Sequence, residues 1–98
     1  MWLVIAYDFP SENSAEYRRF RKSLLKHGFI FVQKSLCWRW VHSSPKAGSL
    51  RKKVESSIRG ADKILVWELS DLVFGSASRW NNGTASEMPD PPLPWTII

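Results

Sequence analysis

The chain has 98 residues, with fourteen Lys and Arg against nine Asp and Glu, one cysteine and two histidines. This length allows one domain with a small core, and the single cysteine excludes an intrachain disulfide. A zinc site is disfavoured because His and Cys are scarce. The sequence has no apolar run of eighteen residues and no basic leader, so we expect a cytoplasmic protein that makes no membrane contact.

The basic residues are unevenly distributed along the chain. Residues 1–63 hold thirteen of the fourteen Lys and Arg and five acids, whereas residues 64–98 hold one basic residue and four acids. A basic body of this kind favours a polyanionic partner, and nucleic acid is the common one in the cytoplasm. The alternative is an ordinary domain whose helices carry charged outer faces.

The first predicted element is a strand that ends in an acid. Residues 2–7 are almost entirely apolar and are too few for a buried helix, and Asp8 and Pro10 follow them. Such a composition is typical of a buried strand. Asp8 at the strand end is a candidate metal or phosphate-site residue, and the alternative is that it caps the following turn.

A basic amphipathic helix is predicted over residues 13–27. Asn13 and Glu16 have capping-box spacing, and Gly28 is a natural stop. Its apolar stripe consists of Tyr17, Phe20 and Leu24. Five cations fall within nine residues with no acid among them, which favours contact with phosphates over a mixed solvated surface. These cations are Arg18, Arg19, Arg21, Lys22 and Lys26.

The middle of the chain predicts two strands and a second helix. Residues 29–42 are β-prone, and the polar residues 33–35 mark either a tight turn or a sharp bend. The pair Trp38 and Trp40 would cover a core or a subunit interface, or alternatively stack on bases. Pro45 is expected at the first position of a helix that ends at Gly60, with an inward stripe of Leu50, Val54 and Ile58.

A last strand over residues 62–69 completes the order β-α-β-β-α-β. This order predicts an α+β, ferredoxin-like fold, with a four-stranded antiparallel sheet and both helices on one face. The other sheet face would stay apolar and open, so we expect a homodimer. We divide the chain into this domain, residues 1–70, and a C-terminal extension, residues 71–98.

The extension is harder to interpret from its sequence. Residues 72–80 would form one short helical or extended element, and residues 81–83 a turn. Three prolines within residues 90–94 exclude a central strand. The apolar residues 95–98 either add an edge strand to the second subunit or to another protein, or fray as a tail.

These residues support two functional hypotheses of different classes. The first is a non-catalytic adaptor that binds duplex DNA through basic helices, with contacts from Arg18, Arg19, Arg21 and Lys22, then Arg39, Arg51 and Lys52. The second is a metal-dependent phosphodiesterase. Mg²⁺ usually takes one or two carboxylates, and the chain offers one well-placed acid, so Asp8 from both subunits would have to share the metal.

Three segments carry a resemblance to a known family. LVIAYDFP ends the first strand, AEYRRFRKSLLKHGF fills the first helix, and VQKSLCWR follows. The spacing from Tyr17 through Phe20 and Gly28 to Gln33 and Ser35 closely resembles that of the small CRISPR-associated Cas-two proteins. The resemblance covers about residues 1–70. The proline-rich tail and the tryptophan-rich second strand depart from the family pattern.

The resemblance implies a ferredoxin-like homodimer at the centre of the spacer-integration complex, between two copies of dimeric Cas-one integrase. In that family, basic surfaces hold double-stranded prespacer DNA, and the C-terminal segment crosses the dimer or contacts the integrase. Some members are described as metal-dependent endonucleases of RNA or double-stranded DNA that use the acid corresponding to Asp8. A related dimeric domain outside the CRISPR setting, such as a toxin-like ribonuclease or a regulator fragment, is a third hypothesis.

Overall fold

The computed structural model describes residues 1–11, 14–58 and 63–92. Its first six elements alternate as the sequence predicts, and a short helix and a hairpin follow them. In chain order they are β1 (Trp2–Asp8), α1 (Ala15–Lys26), β2 (Ile30–Gln33), β3 (Leu36–Trp40), α2 (Ser44–Glu55), β4 (Lys63–Leu69), α3 (Asp71–Gly75), β5 (Arg79–Asn81) and β6 (Thr84–Ser86). None of the helices in the described part of the chain has the length and apolar composition that a bilayer crossing needs.

The central sheet has the strand order β2-β3-β1-β4, and every neighbouring pair is antiparallel. Strand β1 therefore lies between β3 and β4, while β2 and β4 form the edges. Side chains from α1 and α2 pack together against the same face of this sheet. The predicted ferredoxin-like arrangement is confirmed.

One face of the sheet holds the main core. Leu3 and Ile5 of β1 are fully buried there against Phe20 and Leu24 of α1. Cys37 of β3 lies opposite Ile5 in the sheet and is also fully buried, where it packs as a small hydrophobe. Burial raises the pKa of its thiol to about 12. This face is closed by residues that recur every two positions in the strands and every three or four in the helices.

The opposite face carries a second, aromatic cluster. Trp2 and Trp38 are buried there beside Phe74 of α3. Phe74 stacks on Trp2 with ring centroids 4.0 Å apart and meets Trp38 edge-on at 5.0 Å. Trp38 therefore covers a core, as the sequence predicts, and does not lie free on the sheet surface. The chain's own α3 provides part of that cover.

Helix α1 is shorter than the sequence predicts. The Ser14 hydroxyl accepts a hydrogen bond from the Tyr17 amide at 3.0 Å, so Ser14 is the N-cap and the helix begins at Ala15. The predicted cap, Asn13, lies outside the described residues. At the other end the helix stops at Lys26, because His27 is the C-cap and Gly28 adopts a left-handed φ of 80°.

Helix α2 also differs from the prediction at both ends. Its cap is Ser43, which puts Pro45 at the second helical position, and it ends at Glu55. Two serines follow the helix. The Ser56 hydroxyl donates to the Lys53 carbonyl and the Ser57 hydroxyl to the Val54 carbonyl, each at 2.7 Å. Such bonds compete with further helical turns. Ile58 follows the helix yet still packs on the core, and the predicted stop, Gly60, lies outside the described residues.

The polar break in residues 33–35 is a tight turn. Gln33 and Leu36 pair directly, which leaves Lys34 and Ser35 as a two-residue loop, and a register shift follows Phe31. The Ser35 carbonyl accepts a hydrogen bond from the Tyr7 amide at 3.0 Å. This bond fixes the β2–β3 turn beside the end of β1.

The extension contains more regular structure than the sequence predicts. Residues 72–80, expected as one short element, fall instead in helix α3 and strand β5. Strand β5 pairs with β6 around Asn82 and Gly83, within the turn predicted over residues 81–83. Both turn residues have positive φ, as a two-residue hairpin requires. The boundary at residue 70 stays a prediction, and the apolar end, residues 95–98, lies outside the described residues.

Candidate nucleic-acid interface

The outward side of α1 presents a row of cations. Arg18, Arg19, Lys22 and Lys26 are all exposed. Because Arg18, Lys22 and Lys26 are four residues apart, they follow one line along the helix that is about 12 Å long. We call these four residues the α1 ridge. The only acid of this helix, Glu16, lies in its first turn, where its negative charge interacts favourably with the positive end of the helix dipole.

Arg21, predicted with the ridge, lies in different surroundings. It is half-buried, and its guanidinium carbon lies 4.1 Å from the centre of the Phe31 ring. Its charge also acts on the buried Tyr7 and Cys37, lowering the pKa of each against the larger effect of burial. Arg21 therefore stabilises the packing of α1 on the sheet edge as well as adding positive charge.

Arg39 and Arg51 each have partners within the chain. Arg39 donates a hydrogen bond to the His27 carbonyl at the end of α1. Arg51 donates to the Val66 carbonyl at 3.3 Å, and it pairs with Glu55 at 3.4 Å and Glu68 at 3.6 Å. Two carboxylates offset the charge of Arg51, so it is the least suited of the predicted residues to phosphate contact. Its neighbour Lys52 is exposed.

Asp8 is exposed at the end of β1, opposite Lys63 of β4. It borders a pocket of about 210 Å³ that the β2–β3 turn helps to form. Burial, and then the neighbouring Tyr17, raise the pKa of Tyr7 above its ordinary value. The pocket is lined by Tyr7, Asp8, Phe9, Tyr17, Lys34 and Ser35.

The described residues at this pocket offer few ligands for magnesium. Asp8 is the only carboxylate among the described residues that line it. Across the described ranges, no group of three or more His, Cys, Asp and Glu side chains lies close enough to hold a metal ion. The two-subunit hypothesis would add a second carboxylate, the Asp8 of the other subunit.

The first 76 residues match the family model for the CRISPR-associated protein Cas2. The chain belongs to the Cas2 family. This match confirms the Cas-two resemblance, and it reaches through β4 and α3. It therefore includes Asp8, the α1 ridge and Phe74.

Three curated relatives carry the same description, CRISPR-associated endoribonuclease Cas2. The protein from Flavobacterium psychrophilum is 32% identical over 78 residues, which cover 76% of this chain and 68% of the relative. That from Ligilactobacillus salivarius is 41% identical over 59 residues, or 57% and 58% of the two chains. The Paracidovorax avenae protein is 29% identical over 80 residues, or 79% and 74%. The described role in these names is RNA cleavage.

Sequence reasoning missed two features of this Cas2 surface. Lys26 is one of the five helix cations but not one of the predicted DNA contacts, although it follows Lys22 by four residues in the sequence. The other is the position of Lys34 and Ser35 beside Asp8. No local signal in the sequence reveals that contact, because it depends on the register between β1 and the β2–β3 turn.

Proposed function

We propose that this Cas2 protein is a homodimeric adaptor that binds duplex DNA without reading its sequence. In this role it lies at the centre of a CRISPR spacer-integration complex, between copies of a Cas-one integrase. The observation that carries the proposal is the α1 ridge, a line of exposed cations on a helix whose single acid lies at its start.

The geometry of the ridge suits a duplex backbone. Double-stranded DNA carries one negative charge for roughly every 1.7 Å of its axis, so a ridge about 12 Å long faces several phosphates. Flexible Lys and Arg side chains on a rigid helix position a backbone but do not read bases. Binding is therefore sequence-tolerant and falls steeply with salt.

The uncovered part of the sheet supports the dimer. Leu65 and Trp67 of β4 are 60% and 41% exposed, and they lie opposite Ala6 and Val4 on the face away from α1 and α2. Ile30 on the other edge is 62% exposed. Apolar side chains concentrated on one sheet face favour an interface, and a second copy would double the α1 ridge.

The test is a salt series on two duplexes of unrelated sequence. Fluorescence anisotropy of the full-length protein should give similar affinities for both. Arg18→Ala should weaken binding equally on the two duplexes and lower the salt slope by roughly one unit. Lys46→Ala is the matched control, because Lys46 is an exposed cation outside the ridge.

Two results would contradict the adaptor proposal. One is no retention of either duplex in dilute buffer. The other is a salt slope that Arg18→Ala leaves as it is. Co-purification with the Cas-one integrase expressed beside it tests the assembly, and loss of that complex in a monomeric variant would support the dimer as the assembling unit.

A second candidate function is an endonuclease centred on Asp8. Two observations favour it: the exposed carboxylate borders a pocket with aromatic and hydroxyl side chains, and the curated relatives are named endoribonucleases. In this proposal the two Asp8 side chains of a dimer hold Mg²⁺, and the ion supplies charge stabilisation for phosphodiester hydrolysis.

Cleavage of single-stranded RNA and duplex DNA tests this candidate. Activity should need Mg²⁺, stop with EDTA, and be lost in Asp8→Asn, which keeps the size of the side chain. Duplex binding by Asp8→Asn should equal that of the unsubstituted protein, which separates the two functions. Cleavage that survives Asp8→Asn would exclude this site.

A further inference from the structure

The C-terminal end of α1 is held in one conformation by several hydrogen bonds. The Gly28 and Phe29 amides donate to the carbonyls of Leu25 and Leu24, at 3.1 Å and 3.0 Å. Gly28 is in the left-handed region, and a Cβ at this position would lie 3.5 Å from Nε of Arg39. The guanidinium of Arg39 therefore packs directly on the helix end, beside the half-buried His27.

Three basic side chains from three elements place their charges near His27 at this end. Lys26 comes from α1, Arg39 from β3 and Lys53 from α2, and their charges all act on the imidazole of His27. Desolvation, followed by Lys53, Lys26 and Arg39, holds the pKa of His27 below its usual value. Within the described residues, every charge acting on this imidazole is positive.

The helix dipole does not prevent an anion from binding here. The C-terminal end of a helix carries partial negative charge on its free carbonyls, which would repel a phosphate. Arg39 donates to one of these carbonyls, that of His27, and so offsets the partial charge. Lys26 and Lys53 are exposed and extend the positive surface beyond it.

We propose that Lys26, His27, Arg39 and Lys53 form a second phosphate-contact site, which continues the α1 ridge and holds the duplex backbone more tightly when His27 is protonated. This inference rests on the proposed adaptor function. It adds a pH response to that function, and it assigns residues on α1, α2 and β3 that the sequence did not bring together.

The direction of the pH response follows from linkage. In the free protein, desolvation and the neighbouring cations lower the pKa of His27 and so favour the neutral imidazole. A phosphate placed among the four groups favours the charged form, so its pKa rises in the complex and binding takes up a proton. Affinity therefore increases as the pH falls, by at most about tenfold per pH unit for each imidazole.

The test combines binding and NMR on the full-length protein, with a short mixed-sequence DNA duplex as the probe. Affinity should rise several-fold between pH 7.5 and pH 5.5, and His27→Gln should remove the rise. His42→Gln is the matched control and should retain it, since His42 is exposed and is not among the four groups. The His27 imidazole resonance should titrate at higher pH with the duplex than without it.

Lys53→Ala provides an independent test of the geometry. In the free protein it should raise the pH at which His27 titrates, because one repelling charge is removed, while it weakens duplex binding. If the duplex binds with the expected salt slope but the His27 titration does not move, the second site is wrong and the adaptor function stands. Failure of the duplex to bind at either pH would reject both.

Discussion

The two faces of the central sheet are closed in different ways. On one face α1 and α2 bury Leu3, Ile5 and Cys37 completely. On the other, Phe74 of α3 covers Trp2 and Trp38, but Leu65 and Trp67 of β4 remain exposed. The first face is completed by the β-α-β-β-α-β unit itself, whereas the second depends on the extension and leaves part of its apolar surface in solvent.

This difference has a topological cause. Both helices connect strands of the same sheet, and such connections place them on one side of it. Nothing within these six elements can reach the opposite face, so its cover must come from residues after β4 or from another molecule. In this chain one face is therefore closed by helices, while the other keeps Leu65 and Trp67 of β4 exposed.

The largest expected effect is on the helix-covered face. Phe20→Ala removes a fully buried ring from between α1 and the sheet, and we expect a loss of about 3–5 kcal/mol in the free energy of unfolding. Chemical denaturation gives this value. Leu25→Ala is the control, since Leu25 lies on the same helix and is 55% exposed; equal losses in the two variants would contradict the assigned core.

A smaller loss is expected on the aromatic face. Phe74→Ala removes the ring that stacks on Trp2 and meets Trp38, and we expect a loss of about 2–3 kcal/mol, because the two tryptophans keep their places in the sheet. Tryptophan fluorescence at zero denaturant should shift to longer wavelength as water reaches these rings. A loss as great as that of Phe20→Ala would mean that the two faces are equally important to stability.

The exposed part of the second face should control association more than folding. Leu65→Glu places a charge on the surface that we propose a second copy covers. The dissociation constant of the dimer should rise roughly thirtyfold, which corresponds to about 2 kcal/mol. Analytical ultracentrifugation measures this change. Ser49→Glu, on the exposed side of α2, should leave the sedimentation profile as it is. A dimer that tolerates Leu65→Glu would place the interface elsewhere.

The smallest expected effect is at the start of helix α1. Ser14→Ala removes the hydroxyl that accepts from the Tyr17 amide, and we expect a loss of about 1 kcal/mol in the free energy of unfolding. Ser14→Asp should retain stability because its carboxylate also caps a helix. Thermal unfolding of the three proteins distinguishes them, and identical midpoints would show that this cap contributes little.

The sequence predicted the elements better than their ends. Periodicity identified β1, both long helices and the four-stranded order, since those signals repeat over many residues. The ends depended on single hydrogen bonds. Ser14 caps α1, although Asn13 has the capping-box spacing. Helix α2 ends at Glu55 and not at Gly60, and the hydroxyls of the two serines that follow it donate to carbonyls of its last turn. Several residues near each end had suitable chemistry, so composition did not identify the one that acts.

The candidate site shows the same division. The α1 ridge was predictable because its residues share one helix, and helical spacing alone puts them in a line. Arg21, Arg39 and Arg51 were predicted from their charge, and the structure gives each of them a partner within the chain. Whether a surface cation faces solvent or a neighbouring carbonyl depends on which elements pack beside it.

The sequence by itself determined the β-α-β-β-α-β order, the basic character of α1 and the acid at the end of β1, because all three are local patterns. Only the tertiary structure decided that α3 returns to cover Trp2 and Trp38, that the β2–β3 turn and Asp8 line one pocket, and that the charges of cations from three elements act on His27. These contacts join residues far apart in the chain. They arise from strand register and helix packing, which no short stretch of sequence encodes.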